Sequence, residues 1–187
     1  MLEENGNLDP FEKVYTVELG YDICQIASRR YQLFEAGTPE TSILHTNDKD
    51  EEFIYNSWQE YFSGKLTLCH GDSANEIESI LKTVNEPVCF WLDAHAGASK
   101  YAKGPEDCPL IQELELIAKH DIKNHIIAID DSNMLGEIQK DEYGNITCDY
   151  SNITMELVQE KILKINPNYD IGVYKPYAME MLIAFVK

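Results

Sequence analysis

Residues 88–95, VCFWLDAH, read as a short strand running into a polar turn. Positions 88–92 are almost wholly apolar, the pattern of a strand covered on both faces of a sheet. The run stops at Asp93, with Ala94 and His95 behind it. Residues 125–131, HIIAIDD, repeat the arrangement: an apolar strand, then Asp130 and Asp131. Residues 109–120 lie between the two and have helical spacing. Two apolar strands joined through a helix predict parallel pairing in an α/β sheet.

Working outward, residues 65–70 (KLTLCH) are expected as a strand ending at Gly71-Asp72-Ser73. Ser73 is placed to cap a helix running through position 84, with Glu76 at capping-box spacing and Ile77, Ile80, Leu81 and Val84 as its apolar face. Earlier, residues 14–19 (VYTVEL) are β-branched and aromatic, a strand pattern closing on Glu18. Residues 21–33 and 51–62 have helical periodicity, with Ile23, Ile26, Ala27 and Tyr31 sharing a face of the first helix and Phe53, Ile54, Trp58 and Tyr61 sharing a face of the second. Residues 34–50, with Gly37, Pro39 and Asn47, read as loop. Beyond residue 131, a polar stretch to 152 carries a turn at 142–145, residues 154–165 are helical, and residues 169–175 and 179–186 are strands. Their connector, Pro176-Tyr177-Ala178, is too short for a parallel crossover and predicts an antiparallel hairpin. The whole, residues 1–187, is expected to be one α/β domain. It should have a Rossmann-like, mostly parallel sheet, helices on both faces and a C-terminal antiparallel hairpin.

The 187 residues carry 15 Lys and Arg against 33 Asp and Glu, a formal charge of −18. That balance argues against a nucleic-acid partner, which needs clustered cations, and against an anionic membrane surface. With 44% hydrophobic and 10% aromatic residues the chain can bury a core. Five cysteines, an odd number without a CxxC pair, argue against a disulfide framework and a structural zinc site. Cys69, Cys89 and Trp91 are expected in the core. No secretion signal and no membrane span are legible, so a soluble, cytoplasmic protein is expected.

In open α/β sheets ligands sit outside the carboxyl ends of the strands. Those ends carry Glu18, Asp72 with Ser73, Asp93 with His95, and Asp130 with Asp131. Glu18 suits ribose hydroxyls, or else a solvated strand end. Asp72 and Ser73 suit a ligand contact, a helix cap, or both. Asp93, Asp130 and Asp131 would repel one another unless a cation or a proton relieved them, and hard oxygen ligands suit Mg²⁺ or a similar ion. His95, two residues past Asp93, is a candidate general base. Lys100, Tyr101 and Lys103 flank the same loop, and His45, His70, His120 and His125 are read as structural.

On VYTVEL, HGDS, FWLDAH, CPLIQEL and IIAIDDS, and on the order of elements, the chain resembles class I S-adenosylmethionine-dependent methyltransferases. The resemblance implies a ribose contact for Glu18, an adenine-side contact for Asp72 and Ser73, and a position facing the methyl donor for Asp93. Asp93, Asp130 and Asp131 are similar to the divalent-metal site of macrocin- and catechol-type O-methyltransferases. In that case the metal would hold a hydroxylated small molecule or sugar, with His95 as base. The family's first strand and glycine-rich loop have no counterpart ahead of Glu18. The chain therefore reads as N-terminally incomplete, leaving room for a partner or a second copy to complete the sheet. Two further readings are a non-catalytic binding module on the same fold and a metal-dependent phosphoesterase, whose binuclear sites also use GD and DxH segments.

Overall fold

A computed structural model describes residues 13–21, 65–94, 104–175 and 180–187. The expected helices at 21–33 and 51–62, as well as His45, His95, Lys100, Tyr101 and Lys103, fall outside these residues, apart from Tyr21. The chain divides into two compact units, Met1–Gly71 and Asp72–Lys187.

In the first unit, β1 (Val14–Glu18) and β2 (Leu66–His70) pair in parallel, with Val14 opposite Leu66 and Glu18 opposite His70. The Gly71 amide donates to the Glu18 carbonyl at 3.1 Å, which closes the pair. Tyr21 meets the His70 ring edge-on, with centroids 5.3 Å apart. Cys69, expected in the core, is half-buried.

The second unit begins with α1 (Ser73–Leu81). It continues through β3 (Cys89–Leu92), α2 (Leu110–Lys119) and β4 (Ile126–Ile129). A 3₁₀ turn at Ser132–Met134 follows, then β5 (Ile138–Lys140) and β6 (Ile146–Asp149). It ends with α3 (Met155–Ile165), β7 (Tyr169–Tyr174) and β8 (Met181–Val186). The main sheet runs β3-β4-β8-β7. β3 and β4 are parallel, with Leu92 opposite Ile129, and β8 is antiparallel to both β4 and β7. The last strand thus returns between β4 and β7 as the one reversed strand of the four. The hairpin expected from the short connector is present.

α1 and α3 start where their caps direct. Asp72, not Ser73, is the cap of α1: its Oδ1 accepts the Ala74 amide at 2.9 Å. Ser73 lies one position too late, inside the helix, which leaves its hydroxyl available elsewhere. Thr154 caps α3 by accepting the Leu157 amide at 3.2 Å. α1, α2 and α3 lie side by side. Their apolar stripes, Ile77 and Leu81, Leu114 and Ile117, Val158 and Ile162, pack with Phe90, Leu92, Ile127, Ile129, Leu182 and Ala184 in one core.

Two expectations fail on β3. Cys89 and Trp91, read as core, are exposed, Trp91 by 57%. Alternate residues of a strand face opposite ways, and only the Phe90 and Leu92 side meets the helices. The polar stretch after residue 131 holds an unexpected hairpin. In its turn, Asp141 Oδ1 accepts the amides of Tyr143 and Asn145 at 2.9 and 2.8 Å, and Gly144 takes a φ of 84°, which favours glycine. No described helix is long and apolar enough to cross a membrane.

β4 provides an internal test of where the core lies. Ile127 is fully buried and its neighbour Ile126 is 45% exposed. Ile127→Ala should cost about 3–4 kcal/mol in urea unfolding and Ile126→Ala under ~1 kcal/mol. Equal losses would mean that this face assignment is wrong.

Candidate functional site

The β3–β4 register sets the site. With Leu92 opposite Ile129, the next residues, Asp93 and Asp130, leave adjacent strands side by side. The Asp130 amide extends the ladder by donating to the Leu92 carbonyl at 3.1 Å. Asp130 Oδ1 accepts the Asp131 amide at 2.9 Å. Asp131 itself sits in the left-handed region, at φ 47° and ψ 37°, a conformation that aspartate tolerates better than most residues. From there the chain turns into the 3₁₀ segment, where the Met134 amide meets the Asp131 carbonyl at 2.8 Å and the Ser132 amide meets the Glu180 carbonyl at 2.9 Å.

Asp93, Asp130 and Asp131 line one small hollow of about 30 Å³ together with Leu92, Cys108, Glu113, Met134 and Tyr150. That is room for a water or two. The structure therefore brings together the three aspartates singled out from the sequence. Asp72 and Ser73 connect to them through α2, because the Ser73 hydroxyl hydrogen-bonds Glu113. Glu18 stands in the β1–β2 unit, half-buried, with Oε1 accepting the Gly20 amide at 2.7 Å. His95 lies outside the described residues.

Glu113 was not foreseen. It is 1% exposed. Burial is the main cause that pushes its carboxyl up from 4.5 to about 7; the Ser73 hydrogen bond works against the shift and the Asp72 charge adds to it. Glu113 therefore keeps its proton through the acid range and begins to give it up only near neutrality. The signal was present in the sequence: Leu110, Glu113, Leu114 and Ile117 share one helical face, so an acid falls inside an apolar stripe. Cys108, on the same hollow, has its thiol pushed up to about 11, chiefly by burial.

Among the described residues no three His, Cys, Asp or Glu side chains are grouped so that they could hold a metal ion. The donor set expected for Mg²⁺ is incomplete there, and one oxygen of Asp130 is already engaged by a backbone amide.

No known protein-family profile matches the chain. No curated protein matches it. Solved structures of similar layout include a candidate methyltransferase of Streptococcus mutans in complex with S-adenosylhomocysteine. That match is 13% identical, with 92% of this chain and 75% of that one covered at a TM-score of 0.39. A candidate rRNA methylase of Clostridium thermocellum gives 12%, 92%, 74% and 0.41. A candidate caffeoyl-CoA O-methyltransferase of Staphylococcus aureus gives 11%, 95%, 77% and 0.39. At these scores the likeness by itself assigns neither fold nor activity.

The raised Glu113 carboxyl has a stability consequence of definite sign. A carboxyl whose folded value lies above its unfolded one stabilises the protein below about pH 4.5, and that contribution is lost as the pH climbs to about 7. Glu113→Gln cannot ionise and keeps the shape. Its urea midpoint should match the parent at pH 4 and exceed it at pH 8, by an amount on the order of 3 kcal/mol in unfolding free energy. An identical pH profile in the two proteins would refute the protonated state.

Proposed function

We propose that the chain is an S-adenosylmethionine-dependent methyltransferase that acts on a hydroxylated small molecule or sugar. The observation that carries this reading is the β3-β4-β8-β7 order, with β8 reversed between two strands of common direction, combined with acids at the carboxyl ends of β3 and β4. That terminal antiparallel strand and those acids are the features on which the sequence resembles the family.

The residues present suit the ligand's polar groups one by one. Glu18 uses Oε1 on its own Gly20 amide, and among the described residues Oε2 makes no hydrogen bond, so it can accept from vicinal ribose hydroxyls. Asp72 uses Oδ1 to cap α1, and Oδ2 is likewise uncommitted. Asp93, exposed at the tip of β3, supplies negative charge of the kind that favours a sulfonium. When bound, the cofactor supplies an electrophilic methyl group. The chain's own residues bind and orient, and Glu113, near neutrality, can give or take a proton at its carboxyl within the hollow. Among the described residues no three-ligand group is preformed for a divalent cation, and every role named here belongs to the chain's own residues.

Calorimetric titration with S-adenosylhomocysteine should show saturable binding. Glu18→Ala should weaken it about tenfold or more, the loss expected for a charge-assisted hydrogen bond, with the circular dichroism spectrum unchanged. Absence of binding by the parent chain would sink the reading. Added Mg²⁺ should leave the affinity unaltered. A Mg²⁺-dependent gain that Asp93→Asn abolishes would restore the metal-assisted form, with Asp93, Asp130 and Asp131 as ligands.

A further inference from the structure

The opposite end of the β3–β4 pair is closed by a chain of hydrogen bonds that methyl transfer does not use. Val88 immediately precedes β3, and its amide donates to His125 Nδ1 at 3.0 Å. A backbone amide can only donate, so Nδ1 presents a lone pair and the neutral ring keeps its proton on Nε2. His125 Nε2 lies 3.0 Å from His120 Nδ1, which must then accept. His120 consequently carries its proton on Nε2 and donates it to the Val84 carbonyl at 3.1 Å. One fixed amide determines both tautomers, and every link has one direction. The two rings are stacked with centroids 5.1 Å apart, and Phe90 meets His125 edge-on at 5.2 Å. His125 is fully buried, and its carbonyl accepts the Tyr169 hydroxyl at 2.9 Å.

A proton added to either ring has no place in this chain. On His125 it would set Nδ1–H against the Val88 N–H. On His120 it would set Nδ1–H against the His125 Nε2–H. We propose that the His125–His120 relay is an acid-sensitive latch: neutral, it ties residues 84–88 to residues 120–125, and protonated, it releases the entry of β3 from the entry of β4.

The surroundings hold His125 neutral. Burial comes first in pushing His125 down to about 4, the His120 and Lys123 charges act in the same direction, and the Ile122 carbonyl opposes them. Lys123 turns its ammonium to the Ala118 carbonyl. From β7, Tyr169 stays an uncharged hydroxyl, pushed up to about 12 by burial. From the end of α3 comes the uncharged Asn166 amide, bonded to the Lys123 carbonyl at 3.1 Å. Lys82 and Glu86 beside the first connection, and Lys119 and Asp121 beside the second, are exposed. No carboxylate among these described neighbours pairs with the rings to favour an imidazolium.

The latched state binds a proton at His125 less readily than an open one with an ordinary histidine there, so acid favours opening. The latch is fully held above about pH 6.5 and weakens as the pH falls toward 4. Between pH 7.5 and 5 the opening equilibrium should rise roughly thirtyfold, from the ratio of the two proton-binding polynomials. The experiment is residue-resolved amide exchange on the chain, read as protection factors, with ¹⁵N imidazole shifts. Val88 protection should fall roughly thirtyfold across that interval while the β8 amides hold, and His125 should show its proton on Nε2 throughout. His125→Gln can accept from Val88 and donate to His120 without titrating at neutral pH, so it should flatten the Val88 profile. Tyr169→Phe should lower Val88 protection by a similar factor at every pH and keep the thirtyfold fall, which separates a titrating latch from mere packing. Val88 protection in the parent that is flat from pH 7.5 to 5, or a proton on His125 Nδ1 at pH 7.5, would overturn the proposal. These two measurements decide even if a variant fails to fold.

Discussion

The parallel register of β3 and β4 is the constraint on which the rest depends. It is fixed by burial, because Phe90, Leu92, Ile127 and Ile129 all point into the helical layer. A slip of β3 by one residue would turn Phe90 and Leu92 outward and bring Trp91 and Cys89 against the helices. With the register held, the consequences at both ends follow without further choice. Asp93 and Asp130 emerge adjacent at the carboxyl ends, and Val88 comes within reach of His125 at the amino ends. A few apolar contacts thus place a cluster of acids at one end of two strands and a pair of imidazoles at the other.

The two ends titrate in opposite senses for one physical reason. Burial disfavours charge on any group, which raises an acid and lowers a base. Glu113 is held protonated toward pH 7 and His125 unprotonated toward pH 4. Between about pH 4.5 and 6.5 the Glu113 contribution falls with rising pH while the His125 contribution grows. Global stability can therefore stay level across that window even though each group is strongly linked to protons. A flat stability profile in this protein would be a cancellation, which only local probes or single substitutions resolve.

What the sequence made legible follows from how local each cause is. The strands at 65–70, 88–92 and 125–129, the helix at 154–165 and the antiparallel β7–β8 hairpin were readable because periodicity and loop length act over a few residues. The choice between Asp72 and Ser73 as cap was not, since two consecutive capping residues offer the same side-chain chemistry and only the helix start decides. Trp91 was misread because an apolar run says that a strand can be covered on both faces, not that it is. The aspartates at the strand tips were readable from the general rule for open sheets. Glu113 required asking which face of α2 it shares. The imidazole relay was not readable at all, because it joins residue 88 to 125 and 120 to 84, pairs fixed only by the β3–β4 register and the packing of α1 beside α2.

The acidity of the chain also divides in physical terms. Several carboxylates form exposed pairs, Glu78 with Lys82, Glu160 with Lys164 and Asp170 with Lys187, and pairs of this kind add little to stability. The acids around the hollow differ, because among the described residues no lysine or arginine lines it with them. An ionised carboxyl at the buried Glu113 position would lose its hydration and face the charge of Asp72. Holding Glu113 as the neutral acid avoids first that desolvation and then the repulsion from Asp72. The same arrangement couples the proton to any cationic ligand. Positive charge arriving at Asp93 or Asp130 would lower the cost of ionising Glu113, so binding of such a ligand and loss of that proton are linked equilibria.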